Sequence, residues 1–226
     1  MDINWKYNST RCRPVLKKKR KREKEECAEE SFEGESLIPI VNNMNLHPSE
    51  TICKVNNHIY LYDDITTDTN LKFVKLLREE DSNQQIKFQR GEITEPTIHI
   101  HINSNGGSLT DGFSMASAIL SCKSNTISYC EGMVASAASL IMVVCNQRKI
   151  QRFCYVLIHQ LSSNFWGTYQ NFLDEQENLD NMMRQLTNLY TEFTSLPEKK
   201  LQKILKRDLF LDAETCIKYG LADDTC

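Results

Sequence analysis

From about residue 52 the hydrophobic pattern switches repeatedly between a period of two and a period near 3.6. Residues 52–62, with Val55, Ile59 and Tyr60, read as a strand, and Leu71, Val74 and Leu77 follow at helical spacing. Residues 80–96 are polar, with Gly91 and Pro96 as breakers, and predict a loop longer than the usual connection. Ile98-His99-Ile100-His101-Ile102 alternates strictly, which predicts a strand with one apolar face. A turn at 103–107, a helix at 112–120 and a strand at 126–130 come next. The small and apolar residues of 133–144 predict a buried helix, and 153–158 another strand. Leu179, Leu186 and Phe193 then fall seven apart, with Met182, Met183, Leu189 and Tyr190 between them. That pattern predicts one long amphipathic helix over 169–194, whose stripe is wide enough to meet a partner subunit as well as its own core. Pro197 ends it, a short helix over 198–205 follows, and Leu209 to Leu211 opens the closing segment. The alternation of strand and helix argues for an α/β domain of repeated ββα or βα units.

Composition agrees with a folded domain and adds an appendage. Of 226 residues, 40% are hydrophobic and 25% charged, which is globular usage. The formal net charge of -3 hides two blocks. Residues 11–24 carry nine Lys and Arg against one Glu, and residues 25–35 carry six Glu and no cation. Neither block has the periodicity of a packed helix, so 1–36 reads as a disordered charged arm ahead of one domain at 37–226. The arm is a solvated tail in its simplest reading. Its run Lys17-Lys18-Lys19-Arg20-Lys21-Arg22 is also the kind that serves as a nuclear address or meets nucleic acid, and a removed propeptide or transit segment is a third reading. No apolar run approaches a membrane span, and no secretory signal is evident. The nine cysteines are odd in number and lack a CxxC pair, which argues against a disulfide scaffold or zinc ribbon and suits a reducing intracellular compartment. Cys122, Cys130, Cys145 and Cys154 sit in or beside apolar segments, as small hydrophobes do.

Three places could carry chemistry. Asn103-Ser104-Asn105-Gly106-Gly107 directly follows a strand, and its bare glycine backbone can bind an oxyanion or serve as a plain turn. Gly132-Met133-Val134-Ala135-Ser136-Ala137-Ala138-Ser139 crowds small residues around two serines; Ser139 reads as a residue that permits close packing. Ile158-His159-Gln160 ends a strand on a lone histidine, where a general base is commonly presented to a serine. An orienting acid could be Asp208, Asp212, Asp223 or Asp224, and spacing does not choose among them. His99 and His101 share a strand face, but two histidines without a third ligand read as surface polarity and not as a metal site.

Taken in order, these blocks resemble the ClpP family, the proteolytic subunits of the Clp protease. The resemblance runs from about Ser36 to Asp224. It rests on Ile102-Asn103-Ser104-Asn105-Gly106-Gly107, on Gly132 to Ala137, and on Leu157-Ile158-His159-Gln160. Arg207-Asp208-Leu209-Phe210, Ala213-Glu214 and Tyr219-Gly220-Leu221-Ala222-Asp223 complete the set. The implied fold is the ClpP/crotonase-like α/β fold of repeated ββα units with a protruding long helix. The implied activity is that of a serine endopeptidase. Ser136 matches the nucleophile, His159 the general base and Asp208 the orienting acid. The backbone N–H groups of Gly107 and Ala137 match the oxyanion hole. The resemblance further implies stacked, heptameric rings, polypeptide substrates and an AAA+ unfoldase partner. It implies no metal, no membrane, and no cofactor beyond the ATP used by that partner. Nucleic acid would be met only through the basic arm.

Departures from the family pattern mark where this chain differs. Asn105 and Leu161 replace prolines, and residues 162–168 replace a Gly-rich strand. Residues 80–96 look like an insertion. His99 and His101 stand where the family's ATPase-docking pocket has aromatic residues, and Glu131 where it has an apolar one. Two other functions compete: a non-catalytic ring subunit, and a crotonase-like acyl-CoA enzyme that would need a carboxylate such as Asp111.

Overall fold

The computed structural model describes residues 51–226. The expected arm at 1–36 and the start of the expected domain at 37–226 lie outside the described residues.

The expected strand at 52–62 is a hairpin: β1 (Ile52–Val55) and β2 (His58–Leu61) pair antiparallel. Asn56, at φ +55°, makes the reversal, a conformation that Asn tolerates better than most side chains. Helix α1 (Thr67–Gln89) is far longer than its apolar positions suggest. The long polar loop expected at 80–96 is therefore wrong over its first ten residues. Glu80 and Gln84 are polar yet buried, and their neighbours satisfy them. Gln84 Nε2 donates to Glu80 Oε1 at 2.8 Å, and Lys54 Nζ lies 3.1 Å from Glu80 Oε2. Buried polar groups paired in this way are invisible to a hydrophobicity pattern.

Strand β3 (Thr97–Ser104) keeps the alternation read from the sequence. Ile98, Ile100 and Ile102 have no solvent exposure and join Phe73 and Leu77 of α1 in one core. Burying each isoleucine contributes roughly 1.5–3 kcal/mol. After α2 (Leu109–Leu120), capped by the Ser108 side chain, comes β4 (Asn125–Ala135). The expected helix over 133–144 was misassigned at its start, because Met133, Val134 and Ala135 extend β4. The helix itself is α3 (Ala137–Val143), buried along its whole length.

Strand β4 is the axis of the sheet. It pairs parallel with β3 on one side, and on the other with β5 (Gln147–Ile150) and then β6 (Tyr155–Leu157). Polar β5 was not foreseen. Between Ile102↔Cys130 and Ser104↔Val134, β4 carries two more residues than β3. The excess is accommodated at Gly132, whose φ of +71° suits glycine and whose place for a Cβ lies 3.0 Å from Asn103 Oδ1. The same Asn103 Oδ1 accepts the Met133 N–H at 3.1 Å. This irregularity redirects β4 onto β6 and so sets the position of Ser136.

Helix α4 (Tyr169–Phe193) agrees with the long amphipathic helix expected over 169–194, and α5 (Glu198–Leu205) with the short one after Pro197. The chain closes with α6 (Ala213–Lys218) and the short strand β7 (Asp224–Thr225), which pairs β5. Cys130, Cys145, Cys154 and Cys216 are buried free thiols, and burial raises the pKa of each. Among the described residues no helix is long and apolar enough to cross a membrane.

Candidate active site

Ser136 occupies the one-residue turn between β4 and α3. Its φ of +53° is rare for a non-glycine side chain and stores about 1–3 kcal/mol of strain, held by bonds on both sides. The Ser136 N–H donates to the Leu157 carbonyl at 2.8 Å, and the Ser136 carbonyl accepts from the Ser139 N–H at 3.0 Å. The side chain takes no part in capping α3, which leaves Oγ free for other work.

The glycine turn explains itself by contact. A Cβ on Gly106 would lie 2.5 Å from the Ala135 carbonyl oxygen and 2.7 Å from Ser136 Cβ. One on Gly107, at φ +146°, would lie 2.3 Å from the Ile65 carbonyl oxygen. The turn is thus wedged between the serine turn and Ile65, which donates its N–H to Gly106 O at 2.7 Å and accepts the Ser108 N–H at 2.8 Å. Only bare backbone fits there. Among the described residues, the N–H groups of Gly107 and Ala137 have no protein acceptor.

His159 follows β6, just past the buried Ile158. Two backbone N–H donations set its course: Gln160 to Leu205 O at 2.7 Å, and Leu161 to Met183 Sδ at 3.4 Å. His159 Nδ1 lies 3.5 Å from Asp208 Oδ1, a loose ion-pair distance, and the Asp208 side chain is 80% exposed. The loop bearing Asp208 is fixed to β6 by reciprocal bonds between Val156 and Leu211 at 2.8 and 2.9 Å. The other three acids are engaged elsewhere. Asp212 caps α6, Asp223 pairs with Arg148, and Asp224 lies in β7.

A cavity of about 210 Å³ opens between these parts, lined by Gly107, Ser136, Ala137 and His159 and by Leu186 and Tyr190 of α4. Four of the five residues singled out in the sequence surround one space, and Asp208 reaches it through His159. Leu186 and Tyr190 were legible only as members of the α4 stripe. Leu161 and Ser162 also line the cavity. The segment from 158 to 168 has no regular secondary structure and exposes Phe165 and Trp166. Asp111 is held by Asn70 Nδ2 at 2.8 Å and by Thr67 Oγ1 at 3.3 Å, and no carboxylate among the described residues lines the cavity.

The outer face of the sheet carries a second cluster. The rings of His58 and His99 stack at 4.4 Å, and His101 stacks on Tyr60 at 4.5 Å and on Tyr129 at 4.7 Å. His58 Nδ1 lies 2.8 Å from His101 Nε2, and His99 Nδ1 3.0 Å from Tyr129 Oη. Glu131 is the carboxylate of the face; it takes His101 Nδ1 at 2.9 Å and the Tyr62 hydroxyl. Burial lowers the pKa of His58, with His101 adding to it. Burial likewise lowers His99, helped by His58, His101 and Lys149. A histidine with a depressed folded-state pKa stabilises the fold above its ordinary value of 6.5, and the contribution is lost as pH falls through the folded value. The melting temperature is therefore expected to drop as pH is taken from 7 to 5, and His99→Phe to flatten that slope. An unchanged slope in the variant would count against this account.

Residues 53–226 match the family model for Clp protease. The ATP-dependent Clp protease proteolytic subunit of Oltmannsiellopsis viridis is 29% identical over 168 residues, covering 72% of this chain and 86% of that protein. The subunit of the same name from Bigelowiella natans is 29% identical over 170 residues, with the same coverage of 72% and 86%. Among solved structures, a mutant of ClpP1 from Listeria monocytogenes superposes with a TM-score of 0.65 at 21% identity, over 76% of this chain and 91% of that one. That likeness shows the expected α/β fold.

Proposed function

The chain belongs to the Clp protease family, and from that premise we propose that it is a serine endopeptidase subunit that cleaves unfolded polypeptides within a self-compartmentalised assembly. One observation supports the reading above others. A strained serine, a histidine and two backbone N–H groups with no acceptor among the described residues meet at a single cavity.

Each residue has a defined task in that chemistry. As Ser136 Oγ attacks the scissile carbonyl carbon, His159 takes the hydroxyl proton and later returns it to the leaving amine. Asp208 orients the imidazole and offsets its positive charge. The negative charge that develops on the carbonyl oxygen is met by the N–H groups of Gly107 and Ala137. Water, activated by the same histidine, then releases the acyl group from Ser136.

Assembly would use α4 and the segment before it, where Trp166, Tyr169, Phe172 and Leu173 are exposed. The sequence has no GxxxxGK[ST] phosphate loop, so ATP hydrolysis falls to a partner unfoldase. The relatives' name, ATP-dependent Clp protease proteolytic subunit, supports that division of labour. The outer face it would meet is polar and histidine-rich in this chain. Among the described residues no carboxylate lines the cavity, which disfavours acyl-CoA chemistry of the crotonase kind. The exposure of Asp208 favours a second reading, a ring subunit without activity of its own.

Hydrolysis of a short fluorogenic peptide by the full-length protein decides between them. A verified ring that turns over no peptide and fails to react with a fluorophosphonate would support the inactive subunit. Asp208→Asn sharpens the point. Loss of a buried triad aspartate costs about 10⁴-fold in kcat. At 3.5 Å and 80% exposed, Asp208 is expected to matter less, with a loss of about 10²-fold.

A further inference from the structure

The proposed chemistry uses the N–H of Ala137, but it does not say what aims that group. We infer that Tyr190 and Ser139 are positioning residues, a buried two-hydroxyl relay that orients the peptide unit joining Ser136 to Ala137 and with it the oxyanion donor. The inference rests on the peptidase reading given above.

The geometry has a single direction. Ser139 Oγ donates to the Ser136 carbonyl at 2.6 Å and lies 2.6 Å from Tyr190 Oη. A serine hydroxyl has one proton, so once it is given to Ser136 O the Tyr190 hydroxyl must be the donor to Ser139. The chain of bonds therefore runs from Tyr190 O–H to Ser139 O–H to the Ser136 carbonyl. Both side chains are buried, Ser139 at 0% and Tyr190 at 1% exposure. Burial also raises the Tyr190 pKa, which keeps the phenol a donor across the working pH range.

The consequence lies in the peptide plane. The Ser136 carbonyl and the Ala137 N–H belong to one planar trans unit and point in opposite directions. Holding the oxygen fixes where the N–H points, in a peptide unit whose two residues both line the cavity. A carbonyl that accepts from Ser139 Oγ, and again from the Ser139 N–H at 3.0 Å, is polarised further, which strengthens the N–H opposite it. The relay also counters the tendency of a φ of +53° to relax. Tyr190 belongs to α4, 51 residues along the chain from Ser139, so the helix proposed for assembly supplies a fixed point for the catalytic turn.

The test compares full-length wild type with Tyr190→Phe, Ser139→Ala and the double variant. Tyr190→Phe keeps the ring that fills the core and removes only the first donor. Its kcat is expected to fall on the order of tenfold with KM unchanged, because the effect is confined to the transition state. The double variant should be no slower than Ser139→Ala, since Tyr190 acts through Ser139. A kcat unaltered in both single variants, or losses that multiply in the double one, would overturn the relay. If Tyr190→Phe does not fold, Ser139→Ala breaks the same chain of bonds without touching α4. Amide hydrogen exchange over residues 136–140 separates this idea from the peptidase reading. If wild type neither hydrolyses peptide nor reacts with a fluorophosphonate, the peptidase reading fails. Exchange in that segment then still supports the relay if Tyr190→Phe quickens it on the order of tenfold, and overturns it if the rate is unmoved.

Discussion

Ser136→Ala is expected to lower kcat for a short peptide by roughly 10⁴-fold or more, with KM, assembly and melting temperature close to wild type. The size follows from what remains. Without Oγ there is no acyl intermediate, and the remaining groups can only orient water on a bound carbonyl. Stability should change little, because the Ser136 side chain makes no capping bond and the contacts that hold the turn come from its backbone. The strain at φ +53° is backbone strain and persists with alanine. Steady-state hydrolysis, paired with a thermal melt and the particle mass, checks each part. Equal rates in wild type and variant would assign the measured hydrolysis to a contaminant or to another site.

Gly107→Ala should do comparable harm by another route. Its Cβ would sit 2.3 Å from the Ile65 carbonyl oxygen, at a φ of +146° that alanine avoids. The turn must shift, and with it one of the two oxyanion donors. Loss of such a donor lowers kcat about 10²–10³-fold. The backbone strain of about 1–3 kcal/mol lowers the melting temperature by roughly 5 °C in a chain of this size. Gly91→Ala is the control. That glycine also has a positive φ, +71°, but no atom lies within 4 Å of the added methyl. It should lower stability slightly and leave kcat alone. If Gly107→Ala retains full kcat, its N–H is not an oxyanion donor.

Much of the fold was legible because some segments carry one signal only. The isoleucines of β3 alternate without interruption, and the stripe of α4 is too long to be anything but a helix. Other segments carry two signals or none. Met133 to Ala135 is apolar whether it continues a strand or opens a helix, and the sheet partner that decides, β6, lies about twenty residues away. Residues 80–89 look like loop because Glu80 and Gln84 are polar, although Lys54 and the Thr97 N–H satisfy them from distant strands. The site divides in the same way. Ser136, His159 and the glycine turn stand out by their neighbours in sequence. Asp208 could be preferred over Asp212, Asp223 and Asp224 only through the family resemblance. Ser139 read as a packing residue because its hydroxyl partner is 51 residues distant.

The bonds between Val156 and Leu211 have a consequence for the order in which the protein comes into being. Chains are made from the N-terminus, and domains tend to fold as units as they emerge. Ser136 and the glycine turn are synthesised well before the segment that brings Asp208 against His159, and that segment is fastened to β6 through the Val156–Leu211 bonds and the Tyr155–Phe210 ring contact. A chain still on the ribosome therefore has the proposed nucleophile before it has the carboxylate proposed to orient His159. On the proposed peptidase reading, a product truncated before this segment would lack the acid that orients His159 and would work below the full rate.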